Sequence, residues 1–378
     1  MIVIFLLTGF VYMGMLLYFL IGIFRITHET NHRLLSVTVL IPARNEEKNI
    51  SRCIESLWNQ TYPRQWFKVI IIDDQSTDRT AEVVEKVIKD KPNFQLLRHP
   101  PHNLYPTFKK QALLYALKDV HSQIVMTIDA DSIAQPNWIE GMVGQYDDDT
   151  GVVAGLVTFH QEYEQSVFYR LQTLEFAGIV FCGVGAVGQN HPLICNGSNL
   201  SYRLQTFYDA GGYDGNEFVP SGDDDLFIQN VHKKTTWKIK YSLLPETINY
   251  TRPVNTVLEF INQRARWASK SLYYPQRWLF FLMLMIYFYY LLLVVFFPLT
   301  LLQVISWKIY LLGLSLKIVP EFFIVQRAMK VLKKQPLMKY FGLAQIFQIV
   351  YVIIVGFLGF IHKYTWKGHS GGFTKKNV

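Results

Sequence analysis

Long apolar runs near both ends of the chain constrain its fold more than any other feature of the sequence. The runs lie at residues 1–24, 279–302, 304–320 and 341–361. Each approaches the roughly 20 residues that a helix needs to cross the hydrocarbon of a bilayer, although Lys308 and Lys317 interrupt the third. A buried core helix would have a similar composition, but only 17% of all residues are charged, against about 25% in soluble proteins. The sequence therefore predicts an integral membrane protein.

Charges beside these runs predict an orientation. No basic segment precedes the first run and no small-residue cleavage site follows it, so we interpret 1–24 as an uncleaved transmembrane anchor. Basic residues follow it at 25–33 and separate the third and fourth runs at 327–339, and the positive-inside rule assigns both stretches to the cytoplasm. Four crossings would leave the basic tail, 362–378, outside. Either the third or the last run is re-entrant or interfacial, or the tail is an exception to the rule.

The net charge of +8 combines two segments of opposite sign. Residues 262–378 carry +14 and residues 1–261 carry −6. A basic excess at the apolar end is typical of contact with anionic headgroups, and an acidic body argues against binding a phosphate backbone. We therefore expect the bilayer as a partner and no nucleic acid. The three cysteines contain no C-x-x-C pair, so they predict neither a disulfide framework nor a zinc site.

Residues 36–260 alternate between predicted strands and helices. Short apolar strands are expected at 37–41, 69–72 and 124–128, and helical patterns follow the first two from Glu46 and over 80–89. The second and third strands are continuously apolar, as strands buried on both faces of a parallel sheet are. This repetition predicts an open, mostly parallel α/β sheet whose ligands bind beyond the carboxyl ends of the strands.

Acidic residues end two of these strands. Asp73 and Asp74 end the second, where a carboxylate can accept from a base N–H or from ribose hydroxyls. Helix capping would explain only the polar residues after them. Asp129 and Asp131 end the third, on the same side of an extended segment, with a spacing that lets them share one hard divalent cation. A solvated turn would show the same Asp-x-Asp pattern.

Two further charged segments are candidates for chemistry. Asp223, Asp224 and Asp225 are adjacent carboxylates that repel one another, which tends to raise a pKa and suits a general base. The alternative is a helix start, where negative charge is favourable. Lys109, before an expected helix, is a candidate to neutralise phosphate, and a solvated helix start is the alternative there too.

The segment 263–267, Gln-Arg-Ala-Arg-Trp, precedes the second apolar run. Its neighbours predict an amphipathic interfacial helix over 256–277, with Arg264 and Arg266 at lipid headgroups and Trp267 in the aromatic belt.

Residues 183–188 match the dinucleotide motif G-x-G-x-x-G, with Asp209 about twenty residues further on. That motif must open a helix, whereas Gln189-Asn190-His191-Pro192 follows at once. We therefore predict a flexible glycine loop near the site and no dinucleotide.

Taken in order, these motifs resemble those of the family 2 inverting glycosyltransferases of the GT-A fold, specifically the membrane-anchored kind. The resemblance spans the chain. Its matches are P-x-x-N-E at 42–46, D-D-x-S at 73–76, K-x-x-A-L at 109–113, D-x-D at 129–131, a donor-diphosphate loop at 196–199, G/T-E-D at 222–224 and Q-x-x-R-W at 263–267.

The resemblance implies a GT-A catalytic domain over 36–255 and assigns the donor side of its site. Glu46 and Asp74 would help to hold the nucleoside, Lys109 the phosphates, and Asp129 the ribose or the metal. Asp131 would bind Mg²⁺ or Mn²⁺.

The resemblance also assigns the base and the acceptor side. Asp224 would be the catalytic base, while Gln263, Arg266 and Trp267 would line the acceptor and diphosphate side. Asp223 replaces the family's usual glutamate, so which of the aspartates at 223–225 reaches the acceptor hydroxyl stays open.

These observations predict an inverting hexosyl- or N-acetylhexosaminyltransferase of the cell membrane, with a cytoplasmic catalytic domain, a nucleotide-sugar donor and a lipid acceptor. A cation and basic side chains would stabilise the leaving diphosphate, so no covalent nucleophile is required. The alternative is a processive synthase acting on a growing glycan, which Q-x-x-R-W favours and the small number of apolar runs opposes. A non-catalytic sugar-binding protein would leave the ordered acids unexplained.

Overall fold

The computed structural model describes residues 1–27, 30–100, 109–214, 222–274, 277–361, 365–366 and 369–370. Apart from its two short strands, the predicted basic tail, 362–378, lies outside these described residues. The chain divides into two units. We call residues 25–161 and 186–252 the sheet unit, and residues 1–24, 162–185 and 253–378 the helical unit.

Eleven strands and twelve α-helices form in the described chain. The strands are β1 (Val37–Ala43), β2 (Phe67–Asp73), β3 (Phe94–Arg98), β4 (Ile124–Thr127), β5 (Thr150–Gly155), β6 (Val157–Phe159), β7 (Leu200–Arg203), β8 (Lys238–Ser242), β9 (Asn249–Thr251), β10 (Thr365–Trp366) and β11 (His369–Ser370). The helices are α1 (Ile2–Arg25), α2 (Ile50–Trp58), α3 (Thr80–Ile88), α4 (Lys109–Leu117), α5 (Trp138–Val143), α6 (Val167–Gly188), α7 (Leu204–Asp209), α8 (Asp225–Lys234), α9 (Val257–Ser269), α10 (Arg277–Leu301), α11 (Trp307–Val331) and α12 (Phe341–Phe360). Short 3₁₀ turns lie at Arg64–Trp66, Gln161–Tyr163, Pro245–Thr247, Lys270–Tyr273 and Gln335–Tyr340.

The sheet unit contains one seven-stranded sheet in the order β3-β2-β1-β4-β7-β5-β8. Strands β1 to β4 are parallel, β7 is antiparallel to both of its neighbours, and β5 and β8 are parallel. A small parallel pair, β6 and β9, lies apart from it. The prediction of a mostly parallel α/β sheet is confirmed, and the carboxyl ends of β1, β2 and β4 form one edge of it.

The core of the sheet unit follows from the apolar pattern of the sequence. Val39 and Ile41 of β1 are fully buried, as expected for β-branched residues in a central strand. On α2, Ile50, Ile54 and Leu57 bury one face at helical spacing. These side chains belong to one core that also contains residues of β2, β4 and α5.

Strand β1 continues through Pro42, although the sequence suggests that this proline ends it. The partner β4 pairs only with Val37–Leu40, whereas β2 pairs with β1 as far as Ala43. Pro42 therefore lies beyond the end of one ladder. A strand flanked on one side only tolerates the missing N–H of proline.

Five helices are long and apolar enough to cross a membrane, by length and composition, among the described residues. They are α1, α6, α10, α11 and the segment Gln335–Phe360 that includes α12. The third apolar run continues as a helix through Pro320 to Val331. The helix α6 has no counterpart among the predicted runs.

The predicted glycine loop at 183–188 is wrong, because these residues form the last turns of α6. A Cβ on Gly185 would lie 2.3 Å from the backbone oxygen of Phe19. Small residues permit such close approach of helix backbones. The glycine spacing therefore serves helix packing and not a nucleotide.

Candidate active site

The loops after β1 and β2 are hydrogen-bonded to each other. Asn45 has a φ of 55°, which asparagine adopts more readily than most residues, and its Oδ1 accepts from the N–H of Thr77 at 2.8 Å. The Asn45 N–H donates to Ser76 Oγ at 3.1 Å, and the Glu46 N–H donates to Thr80 Oγ1 at 2.8 Å. The P-x-x-N-E and D-D-x-S motifs therefore form one polar edge beyond the strands.

The two candidate nucleoside ligands on this edge are both buried. Glu46 Oε2 accepts from Asn49 Nδ2 at 2.7 Å, and Asn49 Oδ1 accepts from Arg252 at 2.7 Å. His99 Nδ1 lies 3.1 Å from Asp74 Oδ1. Burial raises the pKa of Asp74, and the hydrogen bond from His99 opposes that rise. A buried carboxyl group with a raised pKa at a strand end is typical of a binding site.

Lys109 lies between two of the predicted acidic clusters. Its Nζ is 2.7 Å from Asp129 Oδ1 and 3.0 Å from Asp223 Oδ2. Burial acts to lower the pKa of Lys109, but the charges of Asp129 and Asp223 hold it above its ordinary value. The amine is therefore a fixed positive charge, and three separate motifs meet at it.

The three consecutive aspartates have three different environments. Asp223 is buried beside Lys109. Asp225 is 2% exposed, and its Oδ1 accepts from the N–H of Cys195 at 3.3 Å. Asp224 is more exposed than either and accepts from the N–H groups of Gly197 at 3.0 Å and Asp225 at 2.7 Å. Asp224 is thus the N-cap of α8 and also the carboxylate of the three with the best access to solvent.

Asp129 and Asp131 follow β4 in a turn closed by a hydrogen bond from the Ser132 N–H to the Asp129 backbone oxygen at 3.0 Å, so the prediction of an extended segment is wrong. Asp131 Oδ1 lies 3.5 Å from Thr251 Oγ1, and the Asp129 N–H lies 3.4 Å from Ser198 Oγ. Among the described residues, no group of three or more His, Cys, Asp or Glu side chains could hold a metal ion. Two carboxylates suit Mg²⁺ or a similar hard cation that takes its remaining ligands from phosphate and water. The donor set fits a cation of that kind.

The segment 196–199 contributes both to the site and to the core. Gly197 and Ser198 contact Asp224 and Asp129, as described above. Asn199 is fully buried, and its Nδ2 donates to the backbone oxygens of Leu156 and Thr247, each at 2.7 Å. The buried side chain of Asn199 therefore fixes the loop to the rest of the sheet unit and does not face the site.

The predicted acceptor-side residues lie in the other unit. Gln263, Arg266 and Trp267 are half-buried residues of α9. The prediction that Arg264 lies at lipid headgroups is wrong, because its side chain is 3% exposed and ion-paired with Glu175 of α6. The local sequence around α9 shows no acid for this pair, since Glu175 lies far away in the chain.

Sequence reasoning missed three residues that contact the candidate ones. His99 and Thr251 belong to no motif, and nothing in the sequence indicates them. Glu175 did carry a signal, since it is the one acid of the apolar segment Val167–Gly188. Ionisable residues in such segments are usually paired or functional.

Comparisons with known proteins agree on one family. A family model described as glycosyl transferase family 2 matches residues 38–203. A second, described as glycosyl transferase family group 2, matches residues 124–360. The mannosyltransferase PcManGT from Pyrobaculum calidifontis, solved with GDP-Man and Mn²⁺, has a TM-score of 0.57 and 15% identity over 95% of this chain and 98% of its own. This likeness concerns the fold and confirms the GT-A prediction.

Two curated relatives are named for different glycosylated molecules, one a lipid and the other a polymer. The beta-monoglucosyldiacylglycerol synthase of Nostoc sp. is 24% identical over 61% of this chain and 48% of its own. The poly(ribitol-phosphate) beta-N-acetylglucosaminyltransferase TarS of Staphylococcus aureus is 31% identical over 26% of this chain and 16% of its own. The chain thus spans less than half the length of each of these relatives.

Proposed function

The chain belongs to glycosyl transferase family 2, and from this premise we propose that it transfers one sugar from a nucleotide-sugar donor to a membrane lipid, with inversion. The observation that carries the proposal is the position of Lys109, ion-paired with Asp129 and Asp223. The amine of Lys109 thus places one fixed positive charge beside Asp129 and Asp131 and beside the accessible Asp224. A leaving diphosphate and an attacking hydroxyl need this combination of charges.

We assign the donor to the edge formed by β1, β2 and β4. Glu46 and Asp74 would hold the nucleoside, and Lys109 would attract the phosphates. Asp131, with Asp129, would hold Mg²⁺ or Mn²⁺, which when bound supplies positive charge to the departing diphosphate. The binding of GDP-Man with Mn²⁺ by PcManGT, which has a similar fold, supports a donor of this chemical class.

We assign the proton transfer to Asp224. Its carboxylate would take the proton of the acceptor hydroxyl while the hydroxyl oxygen attacks the anomeric carbon and the bond to the diphosphate oxygen breaks. Hydrogen bonds from the N–H groups of Gly197 and Asp225 hold this carboxylate in place. Attack opposite the leaving group inverts the anomeric centre.

Two observations favour a lipid acceptor over a growing glycan. The chain has five helices long and apolar enough to cross a membrane, which suits a substrate presented by the bilayer. The alignment with the diacylglycerol-modifying relative covers 61% of the chain, and that with the polymer-modifying relative covers 26%. The basic residues after α1 and α11 support a sheet unit on the cytoplasmic side.

The test uses membranes that contain the full chain or its Asp224→Asn variant. Each is incubated with a panel of radiolabelled nucleotide sugars, and the products are separated into organic and aqueous phases. We expect label in the organic phase with the unmodified chain alone, at one sugar per lipid. Water-soluble product that lengthens with time would contradict the lipid acceptor, and no product from any donor would contradict sugar transfer.

A further inference from the structure

A buried ion pair joins α6 to α9 within the helical unit. Glu175 Oε1 accepts from Arg264 Nε at 2.8 Å, and Glu175 Oε2 accepts from Arg264 Nη2 at 2.5 Å. Both side chains are 3% exposed. Two parallel hydrogen bonds between a guanidinium and a carboxylate fix the orientation of both groups as well as their separation.

The carboxylate of this pair accepts a third hydrogen bond, which comes from another helix. Tyr351 of α12 donates from Oη to Glu175 Oε1 at 2.7 Å. On the same side, α9 and α12 lie close together, since a Cβ on Gly359 would lie 2.8 Å from Ala268 Cβ and 3.0 Å from the backbone oxygen of Ala265. The pair therefore lies where three helices meet.

The guanidinium of Arg264 contacts two residues of the Q-x-x-R-W motif, Gln263 and Trp267. Arg264 Cζ is 4.1 Å from the centre of the Trp267 ring, and Arg264 Nη1 donates to Gln263 Oε1. A second ring, that of Phe260, has its centre 4.6 Å from the same carbon. Arg264 is thus enclosed by two aromatic faces, one amide and one carboxylate, so moving it would displace Gln263 and Trp267.

Stability alone does not explain such a pair. Removing two charges from water is costly, and replacing a buried pair by apolar side chains of similar volume is often neutral or stabilising. An apolar contact between α6 and α9 would hold these helices together, but it would not fix the direction of a guanidinium. The pair supplies that orientation, and the groups that depend on it are Gln263 and Trp267.

We propose that Glu175 is a positioning residue for the acceptor side of the site, acting through Arg264 on Gln263 and Trp267. This inference rests on the proposed function and on the family resemblance, which assigns those two residues to the acceptor side. Glu175 itself touches no substrate in this scheme. Its loss should therefore weaken use of the acceptor and leave binding of the nucleotide sugar to the sheet unit unchanged.

The kinetic test compares Glu175→Gln with the double variant Glu175→Leu, Arg264→Met in the full chain. Glu175→Gln keeps the size of the side chain but leaves Arg264 without its counter-charge. The double variant removes both charges and should melt at or near the temperature of the unmodified protein. We expect the acceptor KM to rise at least about tenfold in both variants, with the donor KM changed by less than about twofold. Tyr351→Phe, which removes one hydrogen bond and no charge, should show a smaller effect of the same kind.

The double variant separates positioning from stabilisation. If Glu175 only stabilised the fold, the double variant would regain the acceptor KM of the unmodified protein together with its melting temperature, and that result would overturn the proposal. An unchanged acceptor KM in Glu175→Gln would overturn it as well. If the unmodified chain extends a glycan and not a lipid, the proposed function fails, and the same KM comparison is made with the glycan.

A labelling experiment tests the positioning without any turnover. Gln263→Cys is introduced into a full chain whose three native cysteines are replaced by serine or alanine, and the rate of maleimide labelling is measured. We expect Glu175→Gln and the double variant each to change that rate several-fold, because the side chain at 263 has lost its fixed neighbour. Equal rates in all three proteins would contradict the inference even if no sugar transfer were detected.

Discussion

At the scale of single residues, the aspartates at 223–225 illustrate how one run of like charges is divided among different partners. Lys109 compensates the charge of Asp223, and a backbone N–H binds Asp225 inside the unit. Asp224 is the most exposed of the three and accepts from two backbone N–H groups. A group that must accept a proton and then release it needs access to the reacting hydroxyl, and Asp224 meets that requirement best.

We therefore predict that Asp224→Asn lowers kcat by at least about a hundredfold, as removal of a general base does, with little change in nucleotide-sugar binding. Initial rates and isothermal titration with the donor measure the two quantities. Asp223→Asn is the informative comparison, because it should weaken donor binding by disturbing Lys109. If Asp223→Asn or Asp225→Asn instead shows the pure kcat effect, the assignment of the base is wrong.

A second prediction at this scale concerns the cation. Asp131→Asn keeps the shape of the side chain but removes one negative charge from a site for a hard cation, so turnover should fall on the order of a hundredfold. Rates are measured over a series of Mn²⁺ and Mg²⁺ concentrations. Asp90→Asn, which changes an exposed aspartate of the sheet unit, should behave like the unmodified protein. Full activity of Asp131→Asn in EDTA would exclude this metal ligand.

At the scale of elements, the sequence predicted β1, β2 and β4 and missed the other strands. The strands β1, β2 and β4 are central and almost wholly buried, so their composition alone identifies them. The edge strands β3 and β8 mix exposed and buried residues over five positions each. Such short mixed segments resemble loops until their neighbours in the sheet are known.

The residues of the candidate site likewise divide into those that the sequence predicts and those that it does not. Motif order predicted Lys109, Asp129 and the run 223–225, and the structure brings these together. The partners His99 and Glu175 depend on contacts between residues distant in the chain, which no local pattern encodes. The glycine spacing at 183–188 led to a wrong prediction of a loop. The same spacing occurs in nucleotide-binding loops and in closely packed helices, so it does not distinguish them.

A third prediction belongs to helix α9. Trp267 packs on Arg264 and on Phe176, and the family resemblance assigns Trp267 to the acceptor side. Trp267→Ala should therefore raise the KM for the acceptor more than the KM for the donor, which steady-state kinetics with each substrate varied in turn would measure. Trp307→Ala, at the exposed start of α11, is the matched control and should leave both values unchanged. An equal rise in both KM values would argue against an acceptor role for α9.

At the scale of the whole molecule, the connectivity of the sheet limits which apolar helices cross a bilayer. Strand β5 precedes α6 in the chain and β7 follows it, and these two strands are hydrogen-bonded to each other. We infer from this pairing that both ends of α6 lie on the same side of a membrane. Its most apolar window is also 78% buried, against 28 to 44% for the other four candidates. Although α6 is long enough to span a membrane, we infer that α1, α10, α11 and α12 are the helices that cross it.

These four helices share a polar cluster inside the helical unit. Its members are Tyr12 of α1, Tyr290 of α10, Lys317 and Glu321 of α11, and Gln345 and Gln348 of α12. Glu321 Oε1 accepts from Tyr12 at 2.6 Å and from Tyr290 at 3.2 Å, and Glu321 Oε2 accepts from Lys317 at 3.1 Å and from Gln345 at 2.9 Å. Every helix that we infer to cross the bilayer thus contributes a partner to one carboxylate or its lysine.

The last prediction concerns this cluster. Lys317 is fully buried, so Glu321→Leu would leave its charge uncompensated among apolar helices, and Lys317→Met would do the same to Glu321. Breaking a buried pair in this way costs about 3–5 kcal/mol, whereas removing both charges together is often nearly neutral. We therefore expect each single variant to melt at a much lower temperature in mild detergent, and the double variant Lys317→Met, Glu321→Leu to recover most of that loss. Lys308→Met, an exposed lysine of the same helix, should melt like the unmodified protein. Purely additive losses in the double variant would mean that the charges of Lys317 and Glu321 are not coupled and would contradict this prediction.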